Sequence, residues 1–191
     1  FDVVYTDGTT NFNANGISNG ATVNVSPTAT ITYTIVSVTN TTTTCAVSTP
    51  SPHITGSAVI TVSPLPVANI SGTASICAGA PTALTFTLSA GTYNVVYTDG
   101  TTNFNATGIS NGATVNVSPT ANTTYTIVSV TNTASSCTVT APSPNITGSA
   151  IITVNPVPVA SITGTVTICG GATATLTFNL SAGTFNVVYT D

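Results

Sequence analysis

Few side chains in this sequence can do chemistry. Over 191 residues there is no Lys or Arg, and there are one His, four acids and four Cys. The acids are Asp2, Asp7, Asp99 and Asp191, the His is His53, and the thiols are Cys45, Cys77, Cys137 and Cys169. Most catalytic mechanisms require a tuned acid, base or nucleophile pair, and this set leaves little to tune, so no enzymatic activity and no cofactor are expected. A metal centre would want Cys or His at short spacing, and none is present, which favours disulfides in an oxidising compartment over metal binding. Asp7, Asp99 and Asp191 each follow a Tyr-Thr pair. Calcium takes about six to eight oxygen ligands, and one carboxylate per module would bind it feebly, so a turn role explains these Asp residues better.

The missing cations exclude whole classes of partner. Nucleic-acid affinity depends on cations that release condensed counterions, and adhesion to anionic lipid depends on the same residues; neither partner is expected. The composition is otherwise that of a folded chain. Apolar residues make up 41% of it, enough for a core, while Thr occurs 44 times. Thr, Ser or Asn interrupts every apolar stretch before the ~18 residues of a membrane helix, and an aromatic content of 6% is thin for the girdles of a membrane barrel. No membrane insertion is expected.

Self-similarity dominates the sequence. Val3–Gly8 reads VVYTDG, the same run returns at 95–100, and VVYTD returns at 187–191. Superposing residues 1–92 on 93–184 leaves 24 differences, so 68 of 92 positions are identical. A 92-residue unit suits a small independent domain rather than a solenoid repeat. The Pro-rich stretches containing Pro64, Pro66, Pro156 and Pro158 read as linkers, because alternating Pro stiffens a connection and ends strand pairing. The expected organisation is a partial repeat over 1–64, a complete one over 65–156 and a partial one over 157–191. Both ends fall at the same phase of the unit, as expected for a window on a longer repetitive polymer with its export and anchoring segments outside the window.

Within the unit, period-2 alternation predicts half-buried strands. Leu84, Phe86 and Leu88 share one face and the intervening Thr residues the other; Tyr93, Val95 and Tyr97 repeat the pattern. Tyr125 and Ile127 are expected on one face of their strand, with Val128 and Val130 opposed. Strands are predicted near 68–72, 83–89, 93–98, 102–107, 113–117, 123–131 and 148–155. Asp99-Gly100 and Asn111-Gly112, with Asp7-Gly8 and Asn19-Gly20 at the same unit positions, predict type I′ hairpin turns. Roughly seven strands with such turns give an all-β fold, most simply a tandem array of immunoglobulin-like β-sandwiches of about 92 residues. Outward-facing Thr suits a pleated strand and offers water a hydroxyl, but strand edges without Lys lack the usual defence against pairing with other chains.

Two cysteine pairings are open. Cys77 with Cys137 would close a loop of about 60 residues inside one domain, worth up to ~4 kcal/mol in the chain-entropy model, and is preferred because a module should not need its neighbour. The alternative joins Cys45 to Cys77 and Cys137 to Cys169 across the linkers. Cys77 precedes the Leu84 strand and Cys137 follows the Tyr125 strand, a topology that could set the intradomain pair at opposite ends. His53 is replaced by Asn145 in the next copy, and Asp2 by Asn94 and Asn186, which argues against a chemical role for either.

Ile76-Cys77-Ala78-Gly79 before an alternating strand, the Val95–Gly100 segment, Thr124–Val130, a Cys soon after, and Gly148–Pro156 together resemble the PKD-like and Ig-like repeats of giant Bacteroidota surface adhesins of the gliding-motility type. The resemblance spans the whole unit. It implies type IX secretion, an extracellular location on the cell surface and a role in attachment or gliding; the near absence of charge departs from the pattern. The leading expectation is a structural and adhesive stalk or filament whose partners are other copies of the repeat and a surface or glycan ligand. The alternative is a self-assembling fibre or sheath subunit with lateral strand-edge contacts. A third reading is a carbohydrate-binding module using an exposed Tyr93 or Phe104 to stack on sugar rings.

Overall fold

A computed structural model describes residues 1–190, and every regular element among them is a β-strand. Asp191, for which a turn role is expected, lies outside the described residues. The chain divides into two compact units, Phe1–Leu65 and Pro66–Asp191, so that the division falls at the first Pro-rich stretch and the residues after Pro156 belong to the second unit.

The first unit holds β1 (Asp2–Thr6), β2 (Asn11–Ala14), β3 (Ile31–Thr39), β4 (Ala46–Ser48) and β5 (Ala58–Ile60). They form one sheet in the order β2-β1-β3-β4, with β5 pairing the beginning of β3.

The second unit holds β6 (Ala68–Ser71), β7 (Ala74–Cys77), β8 (Thr82–Leu88), β9 (Tyr93–Thr98), β10 (Asn103–Ile109), β11 (Thr114–Val117), β12 (Thr123–Asn132), β13 (Thr138–Thr140), β14 (Ile146–Thr147) and β15 (Ala150–Asn155), followed by β16 (Ala160–Thr163) and β17 (Thr177–Leu180). One sheet runs β10-β9-β12-β15-β7, with β13 also on β12, and another runs β11-β8-β6-β14. All seven predicted strands are present. The short β7, β13 and β14 carry too few residues for their alternation to stand out.

Both sheets feed one core. Ile70, Leu84, Phe86 and Leu88 come from the four-stranded sheet, and Val95, Tyr97, Tyr125, Ile127, Val130 and Ile152 from the other. The intervening Thr residues of β8 stay at least partly exposed, as alternation requires. Phe86 sits edge-on to Tyr97 with ring centroids 5.5 Å apart, a favourable quadrupole arrangement.

Val130 departs from the expected alternation. It is fully buried on the same side as Ile127 because the register with β9 shifts between Ile127 and Ser129. A bulge at Val128 inserts one residue and so returns Val130 to the core face. The displaced Val128 carbonyl accepts a hydrogen bond from the Ala141 amide at 2.8 Å, and Val36 and Thr49 repeat that bond at 2.8 Å in the first unit. Pro66 is also buried, so it serves the core of the second unit; Pro64, Pro156 and Pro158 are exposed.

β16 and β17 form a separate two-stranded sheet whose register, Ala160↔Leu180 through Thr163↔Thr177, repeats that of β6 on β8, Ala68↔Leu88 through Ser71↔Thr85. All residues of both strands are exposed.

Candidate functional site

The recurring Asp residues do not form a two-residue hairpin turn. β9 ends at Thr98 and pairs with Asn103, leaving a four-residue connection in which only Gly100 has positive φ. Asp99 Oδ1 accepts hydrogen bonds from the Thr102 amide at 2.7 Å and from the Thr101 amide and hydroxyl, each at 2.8 Å. Asp7 makes the same three bonds with Thr9 and Thr10. The Asx geometry replaces the type I′ turn because the carboxylate satisfies the turn amides itself, so the Asp backbone need not enter the left-handed region. Those donors favour the charged form: the Thr102 amide first, then the Thr101 amide and hydroxyl, hold the Asp99 carboxyl below its ordinary range, and Thr10 and Thr9 do so for Asp7. Asn111-Gly112 is not a hairpin either. It carries the chain from β10 in one sheet to β11 in the other, with Asn111 Oδ1 accepting from the Leu88 amide at 3.0 Å. Gly8 and Gly20, like Gly112, have positive φ, whereas Asp7, Asn19 and Asn111 do not.

The substitutions between copies are explained by the same bonds. Asp2 Oδ1 accepts from the Gly16 amide at 2.8 Å and Asn94 Oδ1 from the Gly108 amide at 2.9 Å. An amide oxygen replaces the carboxylate without loss, so the charge is dispensable. His53 and Asn145 each donate a backbone N–H to a serine hydroxyl two residues earlier, at 3.2 Å in both cases; neither side chain is needed for it.

The structure does not bring Cys77 and Cys137 together, and all four thiols are free. Cys77 ends β7 opposite Asn155, beyond the Thr123 end of β12, whereas the Cys137 carbonyl accepts from the Asn132 amide at the other end. A ten-residue strand therefore separates them by about 30 Å, against the roughly 7 Å that a bridge allows between Cα atoms. The intradomain pairing expected from the sequence is not made, for the topological reason that stood against it. Cys45, Cys77 and Cys169 are exposed and Cys137 is half-buried.

The aromatics proposed for sugar stacking divide. Tyr93 is buried, its hydroxyl donating to the Ala90 carbonyl at 2.9 Å and lying 2.7 Å from the Ser89 hydroxyl, so no ring face is open to a sugar. Phe104 is at the surface but lies stacked on Tyr97, centroids 5.3 Å apart. Burial pushes the Tyr97 and Tyr125 phenols above their ordinary range, and the Asp99 charge adds to the effect at Tyr125. Among the described residues no cluster of three or more His, Cys or Asp side chains could hold a metal, and no helix is long and apolar enough to cross a membrane.

Two apolar surfaces were not found by sequence reasoning. One is a groove of about 500 Å³ in the first unit, lined by Val3, Tyr5, Tyr33, Ile35, Ala58 and Ile60 among others. The other is the face of β16 and β17 carrying Ile162, Phe178 and Leu180. Their signal lay in the repeat: each residue is the identical counterpart, 92 positions away, of a residue buried in the complete unit.

No protein-family model matches the chain, and no curated protein matches it.

Proposed function

We propose that the chain is a structural and adhesive repeat segment of a long extracellular surface protein, built of tandem immunoglobulin-like or PKD-like β-sandwiches that form a stalk or filament for attachment or gliding. One observation carries the reading. Of the 24 positions that differ between residues 1–92 and 93–184, only Tyr93 is buried among its counterparts in the complete repeat, and Phe1 keeps the ring there. The copies share a core and vary on the surface, as expected of a module multiplied for reach and for many weak contacts at once. The functional test is whether antibodies to the chain label intact, unpermeabilised producing cells, and whether shortening the repeat region weakens attachment. Labelling only after permeabilisation, or unchanged attachment, refutes the proposal.

The second reading is a self-assembling fibre subunit. Strand edges that carry no Lys or Arg to oppose pairing with another chain favour it.

A further inference from the structure

In the complete repeat β10 is the outermost strand of its sheet, and nothing among the described residues pairs with its far side. The ladder fixes which backbone groups face outward. The Asp99 amide donates to the Thr102 carbonyl at 3.3 Å, and bonded and non-bonded positions alternate along an antiparallel pair, so Phe104 and Ala106 bond to β9. Asn103 and Asn105 therefore turn their amides and carbonyls away from β9, to the open edge. The other side of β9 agrees: the Thr133 amide donates to the Thr92 carbonyl at 3.0 Å, which puts the even-numbered residues of β9 on the β12 side.

β2 repeats this edge in the first unit. Asn11-Phe12-Asn13-Ala14 is identical to Asn103-Phe104-Asn105-Ala106, keeps the same register on its neighbour, and closes with the same 3.3 Å bond, from the Asp7 amide to the Thr10 carbonyl. Phe12 stacks on Tyr5 as Phe104 does on Tyr97, with centroids 5.3 Å apart in both. Proteins usually blunt such edges with charge, Pro or shortness. The other edges of the complete repeat are blunted in this way. β11 runs into Pro119, β13 into Pro142, β14 is two residues long behind Pro144, and β7 ends where the Gly79 amide donates to the Pro119 carbonyl at 3.1 Å. β10 carries neither Pro nor charge, and its bulge comes only after Ala106.

We propose that the Asn103–Ala106 edge pairs, antiparallel and about a twofold axis at Phe104, with the same edge of a second copy of this chain, and that Asn11–Ala14 does likewise. The edge is complementary to itself. With Phe104 on the axis, Asn103 of one copy lies opposite Asn105 of the other, and these are the residues whose amides and carbonyls face outward. Their exposed side-chain amides then stand side by side and can pair as well. Phe104, 36% exposed at the rim of the core, meets its own symmetry mate at a non-bonded position, where side chains approach most closely. No charge on either strand opposes the approach. One such contact is smaller than a stable interface needs, so its strength comes from number, and each chain offers the edge in both units. The proposal rests on the fibre reading and names its lateral contact.

The test is sedimentation velocity of the full 191-residue chain over a concentration series taken to the solubility limit, with hydrogen exchange on the same samples. Association should rise with concentration, and with it the protection of peptides covering 11–14 and 103–106. Two charge variants locate the contact. One carries Asn11→Lys, Asn13→Lys, Asn103→Lys and Asn105→Lys; the other carries Asp at the same positions. All these side chains are exposed, so both variants should fold. Each alone should stay monomeric, because like charges fall directly opposite one another, and an equimolar mixture should associate, because opposite charges then do. A mixture that stays monomeric overturns the pairing. Association without protection of these edges, or association that persists in each variant alone, overturns it too while leaving the fibre reading standing. A wild-type chain that stays monomeric throughout the series overturns both.

Discussion

Phe86 and Phe178 occupy the same position of the repeat, in strands of the same register, and differ only in what covers them. Phe86 is wholly buried against Tyr97, and truncating such a ring to Ala costs about 3–5 kcal/mol, the lost transfer energy together with the cavity. For a domain of 60–100 residues each kcal/mol shifts the melting temperature by ~4–8 °C, so Phe86→Ala should lower the transition of the complete repeat by at least ~12 °C. Phe178 is 38% exposed with no second sheet over it, so Phe178→Ala in the monomeric chain should stay within ~0.5–1 kcal/mol. The two units need not unfold together, so the assay must be local: hydrogen exchange read by mass spectrometry on peptides from β8, β9 and β12 as urea is raised. Phe86→Ala should bring their exchange to markedly lower urea, and Phe178→Ala should leave it unchanged. Equal effects would refute the assignment of the core to the cover supplied by the second sheet.

Gly148→Ala should destabilise the complete repeat by more than the ~1–2 kcal/mol of left-handed strain, since its Cβ would also strike the Ile70 carbonyl, whereas Gly56→Ala should carry the strain alone; urea midpoints of the two variants measure the difference. The bonds that lower the Asp99 and Asp7 pKa values stabilise the turns fully above the ordinary value of 3.8 and lose that effect as pH falls through the lowered folded values, so Asp99→Asn should flatten the acid limb of a stability profile. Tyr97 and Tyr125 act at the other end: burial holds them neutral, the unfolded chain releases its protons first, and stability should fall as pH rises above 10.0, less so in Tyr125→Phe. Under reducing conditions iodoacetamide should modify Cys45, Cys77 and Cys169 before the half-buried Cys137, and peptide mapping after mild oxidation should recover no Cys77–Cys137 link from the folded monomer.

Alternation of Leu84, Phe86 and Leu88 with Thr was enough to locate β8 and its core face, because the pleat makes side-chain direction a local property. The same rule failed at Val130, where the bulge at Val128 reversed the face, and a bulge is defined by the partner strand. The Asp99 and Asn111 turns were legible as turns, but their types depended on where the flanking strands paired. Asp2 and Asn94 were legible as chemically dispensable from their interchange; their common hydrogen bond was not.

The sequence by itself determined the all-β class, the 92-residue repeat, the core faces of β8 and β9 and the absence of Lys and Arg. Tertiary structure alone decided which copies of those residues are covered and where the thiols lie. Thr-Val-Asn-Val is a strand at 114–117 and an unpaired segment at 22–25, although the four residues are identical. The hydrogen bonds of a strand belong to a partner distant in the chain, so the same local sequence is completed in one place and left open in another.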